Sequence, residues 1–146
     1  MRHFLTIMLL YMTALLTGCD KGPGWETMQL LDEEVVEIRI SAFESWDEMN
    51  GDTLLSFKDT KAVRVFEEAI RTARKQADAA KRTDPDYDVM VIYAQQSPIH
   101  AIKLWLGEEG EESVFSYGFK DGEEAVYVAS AKHSDRMREL ILQEGR

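Results

Sequence analysis

A chain of 146 residues, 45% hydrophobic and 30% charged, has room for one domain of ordinary size with a packed core, which excludes disorder as its main state. Its formal net charge of −10 repels nucleic acid and anionic headgroups at long range, so nucleic-acid binding is excluded and membrane attachment has to come from an anchor. The single cysteine, Cys19, rules out an intramolecular disulfide.

Met1-Arg2-His3 carries a positive charge, and Phe4 to Leu16 follows as an uncharged, mostly apolar run. That run has the length of a signal-peptide core and is well short of the roughly 20 residues a spanning helix needs. Leu16-Thr17-Gly18-Cys19 closes it. The pattern resembles the lipobox of bacterial lipoprotein signal peptides, and all four positions fit. The resemblance implies a signal peptide over residues 1–18, cleavage between Gly18 and Cys19, and a diacylglyceryl group on the Cys19 thiol. Two acyl chains hold a protein at a bilayer where one does so only marginally. The expected address is therefore the extracytoplasmic side of the cell membrane. Loss of Arg2 without loss of an acid leaves the mature part at about −11.

Residues 19–32 read as a lipidated flexible tether, because Gly22-Pro23-Gly24 punctuates the chain and no periodicity follows. Trp25, Met28, Leu30 and Leu31 are apolar within it. They either dock on the domain or rest in the membrane interface, which Trp favours.

Residues 33–146 are expected to form a single domain. Val36 to Ala42 alternates apolar with polar, the signature of a half-buried strand. Asn50-Gly51 marks a turn, and Thr53 to Phe57 is a second strand. Asp59 or Thr60 can cap a helix on which Val63, Phe66, Ile70, Ala73 and Ala77 recur on one face. Four strand candidates follow Asp84-Pro85-Asp86: Tyr87 to Ala94, Ile99 to Leu106, Ser113 to Phe119 and Ala125 to Ala129. Their connections are of hairpin length, which predicts an antiparallel meander. Val89-Met90-Val91-Ile92 is apolar on both faces and belongs at the centre of the sheet. A last helix starts at Ser130 or Ser134 and runs to Gln143, with Met137, Leu140 and Ile141 inward. The order ββαββββα predicts an α+β domain of two layers, a mostly antiparallel sheet with helices on one face.

Asp84-Pro85-Asp86-Tyr87 leading into a strand, Leu104-Trp105-Leu106, the strand–helix opening and the terminal helix together resemble the YhfM-like domain of Bacillus-type lipoproteins. The resemblance spans roughly residues 33–143. That family carries no established activity, so the resemblance implies no catalytic residue.

The candidate sites are few. Asp84, Asp86 and Asp88 have the spacing of a calcium loop, but Val89 stands where the loop needs Gly and Gln95 where it needs Glu. His100 and His133 are the only histidines after the signal peptide, without zinc-site spacing, so neither a metal nor a cofactor is expected. No Gly-x-Ser-x-Gly motif and no serine with an obvious paired base is visible. Glu108-Glu109 and Glu111-Glu112 crowd a predicted hairpin loop, where charge is ordinarily solvated. Arg71, Arg74, Lys75, Lys81 and Arg82 form a basic cluster, either a solvated helix face or a contact for anionic lipid or wall polymer.

The sharper expectation is an aromatic face. Strand parity places Lys103 with Trp105, opposite Ile102, Leu104 and Leu106. Phe115, Tyr117 and Phe119 share a face of the next strand, and Tyr127 lies in the last. Trp105, Lys103, Tyr117 and Tyr127 then form a candidate binding face, against the alternative that these rings are core. Two functions are consistent with these residues. One is a non-enzymatic module that binds an envelope protein or glycan. The other is a small envelope hydrolase working through paired carboxylates, which need only meet in space.

Overall fold

The computed structural model describes residues 25–79, 83–95, 99–117 and 125–145. The signal peptide, the lipobox and Cys19 lie outside the described residues, as do Phe119, Lys81 and Arg82. The strands are β1 (Val35–Ala42), β2 (Thr53–Phe57), β3 (Arg74–Lys75), β4 (Tyr87–Tyr93), β5 (His100–Trp105), β6 (Ser113–Tyr117) and β7 (Val126–Ala129). Helix α1 (Thr60–Thr72) lies between β2 and β3, and α2 (Ala131–Glu144) follows β7. The strands form one sheet in the order β2-β1-β4-β5-β6-β7-β3, and every pair is antiparallel. The predicted α+β class is correct, and Val89 to Ile92 occupies a central strand, flanked by β1 and β5.

Helix α1 starts where its sequence says it should. The Asp59 carboxylate accepts hydrogen bonds from the Lys61 and Ala62 amides at 3.0 and 3.1 Å, filling two of the helix's orphan donors. Ala62, Val63, Phe66, Ala69 and Ile70 are buried on its sheet-facing side. Met137 and Ile141 of α2 join the same core with Ile38, Ile40, Val89, Val91, Ile102, Leu104 and Phe115, so both helices cover one face of the sheet.

The expected run of α1 to Ala77 is incorrect. Ala73 turns extended, with ψ 131°, and Arg74 and Lys75 become a seventh strand paired with Val128 and Tyr127. On its far side β3 bridges Thr27, and the Lys75 amide donates to Glu26 O at 2.8 Å. Two flanking backbones offer these residues more hydrogen bonds than another helical turn would.

The expected tether to residue 32 is also too long. Met28 and Leu30 are buried in the core, and the Met28 amide donates to Ala73 O at 3.0 Å. Gln29 and Tyr117 are joined twice: the Gln29 amide donates to Tyr117 Oη, and that hydroxyl donates to Gln29 O, each at 2.7 Å. The segment is part of the domain from Glu26 onward.

A titratable group takes part in this docking. The Leu31 amide donates to Tyr93 Oη at 3.2 Å, and the same hydroxyl is hydrogen-bonded to His100 Nδ1, 2.6 Å away. Burial, with Arg71 adding to it, holds His100 below its ordinary pKa of 6.5, which favours the neutral imidazole in the folded chain. As pH falls below 6.5 the unfolded chain takes up the proton first, so stability present above that value is lost until the folded-state pKa is passed. Urea denaturation across pH 5–8 should show this slope, and His100→Gln should flatten it.

Candidate functional site

The connection between β5 and β6 is built around two glycines in the left-handed region, Gly107 at φ 73° and Gly110 at φ 78°. A Cβ on Gly107 would stand 2.7 Å from Glu112 O, so the turn accepts no side chain there. Its backbone is tied down from three directions. The Leu106 amide donates to Asp86 Oδ2 at 2.8 Å, Arg138 Nη1 donates to Gly107 O at 2.7 Å, and the Gly110 amide donates to Asp135 Oδ1 at 2.8 Å. Within the turn, the Glu108 amide donates to Glu111 Oε2 at 3.1 Å.

This frame borders a cleft of about 540 Å³. Asp84, Asp86, Glu108, Glu111 and Glu112 line it, with Arg138 as the cation among them. Trp105, Leu106 and the half-exposed Leu142 add apolar wall. The glutamates, expected on a solvated loop, are instead joined by the Asp84-Pro85-Asp86 segment. The signal was present only as two acidic turn segments at the same end of neighbouring strands.

The candidate binding face is corrected in two respects. First, its members lie on opposite sides of the sheet. Tyr117 pairs with Ile102 and Tyr127 with Phe115, so both rings point to the helix side, with Tyr127 buried in the core and Tyr117 packed against it. Lys103 and Trp105 point the other way, as parity required, Trp105 packing with Val114, Val126 and Val128. Second, that other side is covered. The connection 43–52 folds across it, setting Trp46 against Trp105 with centroids 5.9 Å apart, and Trp105 Nε1 donates to Thr83 O at 2.9 Å. Trp105 is left 6% exposed and Lys103 is buried.

The buried Lys103 ammonium donates to Asp88 Oδ1 at 2.7 Å, Ser45 O at 2.8 Å and Glu48 O at 3.3 Å, which uses all three of its protons. Asp88 Oδ2 accepts from the Asn50 amide at 2.8 Å. This pair clips the connection to the sheet and is structural. The three aspartates with calcium-loop spacing are thus separately engaged: Asp84 Oδ1 accepts from Trp46 Nε1 at 3.3 Å, Asp86 holds Leu106, and Asp88 holds Lys103. Among the described residues no three His, Cys, Asp or Glu side chains are grouped so as to hold a metal.

A second, smaller cleft of about 310 Å³ lies where β3 meets the start of α2. Here Ser130 Oγ comes within 3.1 Å of His133 Nδ1, and Thr72 Oγ1 within 3.3 Å. This pair is one that the sequence, which shows no serine with an obvious paired base, does not single out. The signal was Ser130-x-x-His133 at a predicted helix start. Ser130 is the N-cap of α2 and its oxygen also accepts from the His133 amide at 3.4 Å, which accounts for the proximity by capping. His100, the other histidine, belongs to the Tyr93 contact and to neither cleft.

Three comparisons with known proteins bear on this chain. A crystal structure of a thioesterase-like protein from Clostridium sporogenes ATCC 15579 is similar in fold, with a TM-score of 0.55 at 14% identity, over 74% of this chain and 94% of that one. At that identity the likeness shows the fold alone. Among curated proteins none matches the chain. The sequence model of the YhfM protein family matches residues 27–145, starting within one residue of where the chain enters the folded core and ending with α2, and on that match the chain belongs to the YhfM protein family.

Proposed function

We propose that this protein is a lipoprotein, held by a diacylglyceryl group on Cys19 at the extracytoplasmic face of the cell membrane. Its YhfM domain would be a non-enzymatic interaction module that presents the acidic cleft to an envelope protein or glycan. The observation that carries the binding reading is how the cleft's carboxylates are used. Asp86 and Glu111 bond to backbone amides that shape the cleft, and Glu108, 82% exposed at its side chain, lies 3.5 Å from Arg138. A rigid frame with a charged rim and an apolar wall suits recognition of a cationic or hydroxyl-rich group.

The second reading is a carboxylate hydrolase, and the convergence of five acids on one cleft favours it. A general acid of that kind needs a carboxyl kept protonated by burial or by a like charge. Two of the five, Asp86 and Glu111, are bonded to backbone amides that shape the cleft, a structural use that leaves them less free for chemistry, so binding is preferred.

The experiment has two arms. Metabolic labelling with a clickable fatty acid should mark the protein and fail for Cys19→Ser. Capture of envelope components by the full chain should be lost when Glu108 and Glu112 are both changed to Lys, and kept when the exposed Leu54, which does not line the cleft, is changed to Ala. Unlabelled protein sinks the anchor. Unchanged capture by the doubly substituted chain sinks the cleft, and turnover of an envelope glycan abolished by Glu→Gln changes would install the hydrolase instead.

A further inference from the structure

Trp25 is 59% exposed at the point where the described chain begins, and nothing in the cleft-binding reading uses it. It stands beside β3, the last strand of the sheet on that side, because Glu26 and Thr27 pair with Lys75 and Arg74. The Arg74 guanidinium sits 4.9 Å from the centre of its ring, and Lys75 Nζ is 3.0 Å from the Glu26 carboxylate. A tryptophan left in water with a guanidinium stacked on it is an arrangement suited to a lipid interface: the ring is apolar with a polar N–H, and the cation reaches phosphate.

The sequence fixes how far this ring can be from a membrane. Trp25 is six residues from Cys19. Six residues, fully extended, reach about 20 Å. Since the segment is docked from Glu26 onward, the β3 edge cannot retreat farther than that from an acylated Cys19.

We infer that the β3 edge is the membrane-facing side of the domain, with Trp25 seated at the headgroup level of the bilayer and Arg74 beside it on lipid phosphate. This rests on the lipid-anchor reading of Cys19. The body at about −11 is pushed off anionic lipid as a whole, so the contact is local to this aromatic–cation pair.

The chain has three tryptophans. Trp46 and Trp105 pack on each other over the outer face of the sheet, which makes Trp25 separable by fluorescence. The test uses the full lipidated protein in phosphatidylglycerol–phosphatidylcholine vesicles, with and without brominated acyl chains. Quenching by bromine is expected in the wild type and should fall to background in Trp25→Phe. Arg74→Gln should weaken the quenching in phosphatidylglycerol vesicles more than in phosphatidylcholine alone. The same preparation is assayed for the fatty-acid label. Labelled protein whose quenching is the same with and without Trp25 overturns the orientation and leaves the anchor standing. Unlabelled protein removes both.

Discussion

Replacing Lys103 with alanine is expected to destabilise the domain by about 3–5 kcal/mol, because it leaves the Asp88 carboxylate buried without its counter-charge. Both side chains are 1% exposed, so water reaches neither. The loss is a large share of the roughly 5–15 kcal/mol that holds an ordinary domain together. It should appear as a lower urea midpoint in far-ultraviolet circular dichroism. The ammonium also holds Ser45 O and Glu48 O, and Asp88 holds the Asn50 amide, so the pair is the clip for connection 43–52. The double change Asp88→Leu with Lys103→Met removes the stranded charge and should recover part of the midpoint. It leaves the backbone groups of the connection without partners, so limited proteolysis should still cut between residues 43 and 52 faster than in the wild type. A Lys103→Ala protein that unfolds at the wild-type urea concentration would show that the charges are solvated after all.

That clip also explains where the sequence stopped being legible. Period-two alternation in β1 and β5 and the helical spacing of Val63, Phe66 and Ile70 report on one element and its own two faces, so the α+β order and the sidedness of Lys103 and Trp105 could be read directly. Which side a neighbouring strand presents depends on register. Tyr117 sits opposite Ile102 rather than Lys103, and one residue of slip would have put it with Trp105. No local pattern carries that information. The same holds for coverage. Phe43 and Trp46 lie in a connection that composition marks only as a loop, yet they close the outer face over Trp105. The acidic cleft was hidden for a related reason. Glu108, Glu111 and Glu112 are close in sequence, but Asp84 and Asp86 join them only because β4 and β5 run antiparallel and Asp86 is bonded to Leu104 and Leu106. Strand β3 was missed because two residues are too few to show a period. Its pairing comes from β7 and from Glu26 and Thr27, both remote in sequence.

Phe66→Ala is the other change expected to cost about 3–5 kcal/mol, here through a cavity rather than a charge. The ring has no exposed surface and lies on the face of α1 that meets β1 and β2. Its centroid is 5.2 Å from that of Phe57, at 37°, and Phe57 is the last residue of edge strand β2. Truncation removes the ring's transfer free energy and the partner against which Phe57 is buried. Strand β2 has β1 on one side only, so it can relax toward the void more readily than a central strand. Relaxation of that kind lowers the cost at a site. The size of the loss therefore measures how firmly α1 pins the edge. A urea midpoint lowered with an unchanged slope is the expected result. Leu142→Ala, on the exposed side of α2, should change the stability by no more than about 0.5 kcal/mol. If Phe66→Ala is as mild as Leu142→Ala, the edge strand collapses into the gap without resistance, and the helix-to-β2 contact is no part of what holds the sheet. If the loss is full and hydrogen exchange in Thr53–Phe57 accelerates with it, the two rings are the bolt that fixes β2 to the rest of the domain.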